Sequence, residues 1–229
     1  MIRYSYIFDE ANRVDFEVDP EGEACREDDR RPHPEWTLLE SFRCEGCPVP
    51  TGSRVTCPAA LALRPVVEAF KTRISHEQVQ LVVTRREVRI EASVPTQAAV
   101  RSLLELMLSL SACPILARLR PLAHLHMPLG TQQRTVFRYL GMHLIAQYMR
   151  ACDGLTPDWE LDELKPFLQQ LRVIFRHLAD RLRAATSQDA AVNALVLVDV
   201  FVDSVEFSIE RSLAKLRPLF ASYLTEVGR

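Results

Sequence analysis

The sequence predicts an α+β protein: a small N-terminal antiparallel sheet carrying a cysteine-rich metal loop, packed on a C-terminal helical bundle. Three observations carry that prediction. Apolar residues alternate with period two in two β-rich stretches before Pro95, they recur with helical spacing after it, and three cysteines crowd into residues 44–57 between the two β-rich stretches.

The alternation comes first. Tyr4, Tyr6 and Phe8, then Val14, Phe16 and Val18, flank Glu10-Ala11-Asn12, the pattern of two half-buried strands joined by a tight turn. Residues 19–35 hold a dense mixture of acids, arginines and three prolines, among them Cys25, and predict a mobile surface loop that buries little. Trp36 to Phe42 predicts a further strand leading into the cysteine loop at 44–58. Ala59 to Thr72 has helical spacing at Leu61, Val66, Val67 and Phe70, with Pro65 marking a late start or a kink. Residues 78–84 and 88–94 are β-rich runs around Arg85-Arg86-Glu87 and predict a second hairpin.

Helical periodicity follows. One helix carries Val100, Leu103, Leu104, Met107 and Leu108; a second carries Phe137, Leu140, Leu144, Ile145, Tyr148 and Met149; a third carries the apolar series from Leu161 to Leu182. A fourth is predicted from about Ala190 to Leu224, with its N-terminal part at the buried centre of the bundle. The organisation is therefore a β-rich region with its metal loop over 1–94 and a helical bundle over 95–229, read as one continuous globular unit.

Composition narrows the function. With 28 Lys+Arg against 30 Asp+Glu the formal charge is −2, which gives no electrostatic reason to expect nucleic acid. The glycine-rich phosphate loops and the nucleophile elbow are missing from the sequence. The start of the chain lacks the apolar stretch of a signal peptide, so a cytoplasmic protein is expected, and the run Ala190 to Val202 is too short and too polar to be a membrane span.

In a reducing compartment six cysteines point to thiol ligands rather than to disulfides. Cys44-Glu45-Gly46-Cys47-Pro48 is a C-x2-C knuckle, and Cys57-Pro58 follows. Glycine at the third position of such a turn lets backbone N–H groups face the sulfurs. Ser111-Ala112-Cys113-Pro114 repeats the Cys-Pro pairing, so Cys113 is the candidate fourth ligand beside Cys44, Cys47 and Cys57. Cys25 and Cys152 lack that context. Four thiolates suit Zn2+ in a closed structural site; a 4Fe-4S cluster takes the same donors; and buried thiols that bind nothing are the remaining reading.

These residues also resemble an uncharacterised bacterial family known only as a domain of unknown function. The resemblance rests on Phe42 to Pro48, Cys57-Pro58-Ala59, Cys113-Pro114, Leu119-Arg120-Pro121, His126-Met127-Pro128, Gln147-Tyr148, Pro157-Asp158-Trp159 and Asp189 to Leu195. It implies the same fold and the same grouping of the third cysteine and the Ser-x-Cys-Pro cysteine with the knuckle, and it brings no activity.

Other polar features are weaker. His124 and His126 form an H-x-H pair that binds metal if extended, the basis of a metal-dependent hydrolase reading, but loop histidines bonded to backbone are the commoner case. Arg118, Arg120, Arg134 and Arg138 could hold a small anion. Asp199, Asp203, Glu206 and Glu210 make an acidic stripe that lacks the Glu-x-x-His pairs of a di-iron bundle and is expected to face solvent or to pair with Arg172 and Arg176. The sequence thus points first to a metal-stapled module binding a protein partner or a small anion, and second to an iron-sulfur protein in electron transfer or redox sensing.

Overall fold

The N-terminal alternation folds as a hairpin in which β1 (Ile2–Ile7) pairs antiparallel with β2 (Arg13–Val18), Tyr4 opposite Phe16. Asp9 closes the turn, its carboxylate accepting from the backbone N–H groups of Ala11 and Asn12, both at 2.9 Å. The second predicted hairpin is present as β3 (Gln78–Arg85) and β4 (Val88–Pro95). β1 pairs with β3, giving a four-stranded antiparallel sheet of order β2-β1-β3-β4. The edge strands carry Arg13, Asp15, Glu17, Arg89 and Glu91 on the open face, charges that discourage edge-to-edge pairing. This computed structural model describes residues 1–22, 24, 32–187, 189–194, 196 and 209–226, without the side chains of 209–212 and 226.

Two helices cover the other face of the sheet. α1 (Pro58–Phe70) starts with proline at its first position and continues through the exposed Pro65, so the predicted late start does not occur. α2 (Thr96–Ser109) packs against α1, β3 and β4. Phe70 meets Tyr6 edge-on, ring centroids 4.8 Å apart, and the Tyr6 hydroxyl donates to the Ala99 carbonyl at 3.3 Å. A buried hydroxyl needs such a partner, and burial also drives the Tyr6 pKa well above its ordinary value.

The helices after α2 are α3 (Arg120–His124), α4 (Gln132–Cys152) and α5 (Leu164–Ala185), followed by helical residues at 190–194, the helix Ile209–Leu216, a 3-10 turn at Arg217–Phe220 and the helix Ala221–Glu226. The chain thereby has the α+β architecture expected of it. It divides into two compact units, Met1–Leu129 with Val173–Asp199, and Gly130–Arg172 with Val200–Arg229. Among the described residues no helix is long and apolar enough to cross a membrane.

Four local expectations are corrected. Trp36 to Phe42 is not a strand: Glu35–Thr37 is a 3-10 turn and only an isolated bridge joins Leu38 to Thr56. The side chain of Arg181 occupies the carbonyls that a ladder would need. The charged loop is anchored near its start, the Ala24 N–H donating to Leu110 O at 3.1 Å and Arg120 Nη2 to Gly22 O at 3.3 Å; residue 23 and residues 25–31 of the expected mobile stretch, with Cys25, lie outside the described residues.

The third correction concerns α4, which stands where predicted but buries a different face. Phe137, Ile145, Tyr148 and Met149 are all more than half exposed, while Val136, Tyr139, Leu140, His143 and Gln147 are buried. The polar members of that face are satisfied within the second unit. Gln147 Oε1 accepts from the Asp158 N–H at 2.9 Å, and His143 Nε2 lies 3.3 Å from the Asp158 carboxylate. That carboxylate also accepts from the N–H groups of Glu163 at 2.8 Å and Asp162 at 3.0 Å, and these bonds, with the nearby His143, hold its pKa below the usual range. The fourth concerns the single helix expected from 190 to 224. Its described C-terminal part is broken by the 3-10 turn at Arg217–Phe220, as Pro218 requires. The acidic stripe falls outside the described residues or, at Glu210, outside the described side chains.

In the first unit the turn after α1 is tied to residues 187–190 by one carboxylate. Asp189 accepts from the Ser75 N–H at 2.9 Å, from the Ser75 hydroxyl at 3.0 Å and from Asn193 Nδ2 at 2.8 Å, and the Ala190 N–H reaches Arg73 O at 3.2 Å. The bond from the Ser75 N–H is the main reason that the Asp189 pKa is depressed. A depressed folded-state pKa stabilises the fold above the unfolded carboxyl value and ceases to do so as pH falls through the folded value. Asp189→Ala should therefore lower unfolding stability at neutral pH, by an amount that solvent screening keeps small, and the gap to the parent should narrow as pH falls through the carboxylate range. Urea denaturation of both proteins across that range checks it.

Candidate thiol site

Three stretches of the first unit bring the four predicted cysteines together. The knuckle forms a turn in which the Cys47 N–H donates to Cys44 O at 3.1 Å and Gly46 takes φ +68°, the left-handed conformation that glycine adopts without strain. Arg43 braces the loop from inside, donating through Nη1 to Glu40 at 2.9 Å and through Nη2 to the Val49 carbonyl.

Cys57 is placed by α1. It is the N-cap residue, extended at φ −71° and ψ 120° as a residue before proline must be, and its carbonyl receives the Leu61 N–H at 2.9 Å. Its own N–H donates to Thr37 O at 2.8 Å, and the Leu39 N–H donates to Val55 O at 2.9 Å, so the stretch leading to the knuckle lies alongside the stretch leading to α1. Cys113 follows α2 and opens the turn Leu116–Leu119, where the backbone N–H groups of Ile115 and Leu116 donate to its sulfur. The sequence reading had assigned donors of that kind to the knuckle; the structure supplies them at Cys113.

Cys44, Cys47, Cys57 and Cys113 line a single cavity of about 20 Å³, closed on the α5 side by Ile174 and Leu178. Cys57 and Cys113 are buried, and the two knuckle thiols are half-buried. Burial, chiefly, pushes the Cys44 thiol up to about 12; Cys57, Cys47 and Cys113 raise it further, and Arg181 opposes them. Burial also raises Cys113 against the pull of its two N–H donors. Burial in this cavity therefore favours the neutral thiol of Cys44. Among the described residues, no group of three or more His, Cys, Asp or Glu side chains is drawn together closely enough to hold a metal ion, so the thiols share a cavity without converging on one point.

The residue that sequence reasoning missed here is Arg181. It is fully buried, with Nη1 donating to the carbonyls of Trp36 and Leu38, each at 2.7 Å, and Nη2 to those of Leu39 at 3.3 Å and Phe42 at 2.8 Å. Its Cζ also stands 5.4 Å from the Phe42 ring centroid. The signal was present: Phe167, Leu171, Ile174 and Leu178 form an apolar series whose next member, three residues on, is Arg181. A cation on the buried stripe of a helix calls for a partner in the core.

The remaining candidates do not join this site. Cys152 is exposed at the end of α4. His124 Nδ1 lies 3.1 Å from Glu21, whereas His126 Nε2 bonds the hydroxyl of the buried Tyr4, so the H-x-H pair is divided between two unrelated partners.

The knuckle geometry can be tested at Gly46. A Cβ there would meet nothing within 4 Å, so the cost of substitution is that of the backbone conformation alone. Gly46→Ala should destabilise the protein by about 1 kcal/mol and Gly46→Asn by less, because asparagine tolerates the left-handed region. Equal effects of the two in denaturant titrations would contradict that origin.

No curated protein matches this chain, and no solved structure matches it. A match to the family described as Domain of unknown function (DUF6901) runs over residues 2–221, nearly the whole sequence, and the chain belongs to that family.

Proposed function

We propose that the protein is a metal-stapled binding module in which Cys44, Cys47, Cys57 and Cys113 hold one Zn2+. The observation that carries this reading is that four thiols from three separate stretches of chain line one small cavity. Its volume of about 20 Å³ suits a single ion. A 4Fe-4S cluster, with eight inorganic atoms, is the bulkier occupant, and the small cavity favours the single ion. Binding replaces thiol protons by the ion, and a tetrahedral site of sulfurs about 2.3 Å from zinc requires the four thiols, which do not converge on one point, to close around it.

In this reading the metal shell is closed by four thiolates and activates no water, so its role is to join the knuckle loop, the start of α1 and the turn after α2. The binding role draws on the other unit. There α4 presents Phe137, Ile145, Tyr148 and Met149 more than half exposed, an apolar surface that favours a protein partner over a small anion.

Replacing Cys47 by Ser tests the staple. Metal content and melting temperature should fall together, because free energy of metal binding is also free energy of folding. A Cys47→Ser protein that loses its metal and melts like the parent would refute the structural role. Retention of metal by this variant would show that Cys47 is not a ligand.

A further inference from the structure

We propose that Arg181 is the built-in counter-ion of the four-thiol site, so that metal loading, which ionises the thiols, places negative charge near an otherwise unpaired buried cation. The proposal rests on the metal-staple reading above and extends it to a residue that touches no metal.

The argument begins with what Arg181 lacks. Its side chain is wholly buried, yet all four of its hydrogen bonds go to neutral backbone carbonyls, those of Trp36, Leu38, Leu39 and Phe42. Its Nε has no acceptor among the described residues, and no carboxylate among them pairs with it. Carbonyl dipoles satisfy the N–H groups but do not cancel a unit charge, and an uncompensated buried charge is among the most costly features a core can contain.

The groups within electrostatic reach that are able to become negative are thiols. Cys57, Cys44 and Cys47 all act on the Arg181 charge. The helix geometry agrees, since Leu178 and Ile174, three and seven residues before Arg181, form part of the wall of the thiol cavity. As neutral thiols these cysteines offer Arg181 nothing. Four thiolates around a divalent ion carry two net negative charges, and the guanidinium halves that excess without occupying a coordination position.

The guanidinium has two separable properties, a fork that reaches four carbonyls and a charge that the cysteines sense. Arg181→Lys keeps the charge and loses the fork; Arg181→Gln loses the charge and keeps some donor capacity. Full-length protein stripped of metal should be titrated with Co2+, following the thiolate-to-cobalt absorption bands, and unfolded in denaturant with and without the ion. Both variants should lose stability in the metal-free state, because both loosen the carbonyl clamp. Co2+ affinity should fall roughly tenfold or more in Arg181→Gln and stay within about threefold of the parent in Arg181→Lys.

Unchanged affinity in Arg181→Gln, or equal loss in both variants in step with their stability, would overturn the proposal and leave the staple intact. If the parent itself develops no thiolate-to-cobalt bands, the staple fails and the counter-ion with it. Should Arg181→Gln not fold, Arg181→Lys decides alone: affinity held while stability falls supports the counter-ion, and affinity falling with stability refutes it.

Discussion

In the first unit the path of the chain into the knuckle depends on one buried cation. Arg181 reaches from α5 into a stretch of chain with no regular structure and takes up the carbonyls of Trp36, Leu38, Leu39 and Phe42. Residues 36–42 bury Trp36 and Leu39, so their carbonyls must be paired inside the protein, and among the described residues the neighbouring stretch at 55–57 takes up only that of Thr37. A single guanidinium with five donors does what a ladder would otherwise do. The path of the chain into the knuckle is thereby set by a side chain some 140 residues away, and Cys44 and Cys47 inherit their position from it.

The other two cysteines are positioned by regular structure. The sheet is covered by α1 and α2, and each of these helices has a cysteine next to a proline at one of its ends: Cys57 before the first turn of α1, Cys113 just beyond α2. Proline fixes the backbone there and keeps the cysteine out of the helix, so its side chain is free to turn into the cavity. An irregular loop held by a cation thus meets two rigid helix ends. The junction is packed with apolar side chains, among them Leu39, Val49, Ile115, Ile174 and Leu178 around the four thiols.

Local pattern made the strands and most helices legible. Tyr4, Tyr6, Phe16 and the β-branched runs of β3 and β4 announce their faces because a sheet with one solvated side imposes strict alternation. Cys-Pro recurs where helices begin or end, and the four cysteines singled out by spacing line one cavity. What failed were elements whose state is decided from a distance. Trp36 to Phe42 has strand-like composition, but Arg181 claims its carbonyls. In α4 the apolar periodicity pointed to Phe137, Ile145, Tyr148 and Met149, whereas the buried face includes His143 and Gln147, whose partner Asp158 lies beyond the end of the helix. Hydrophobic periodicity cannot register a polar face that becomes buried because its hydrogen bonds are supplied by the next turn of chain.

The central claim is that four sulfurs from three stretches of chain share one ion, and metal-edge X-ray absorption on the purified protein tests it most directly. The account predicts about one equivalent of zinc with a first shell of four sulfurs at about 2.3 Å and no nitrogen or oxygen ligand. A first shell containing nitrogen or oxygen, an iron edge with iron-iron scattering, or protein isolated under metal-replete conditions without any bound metal would contradict it.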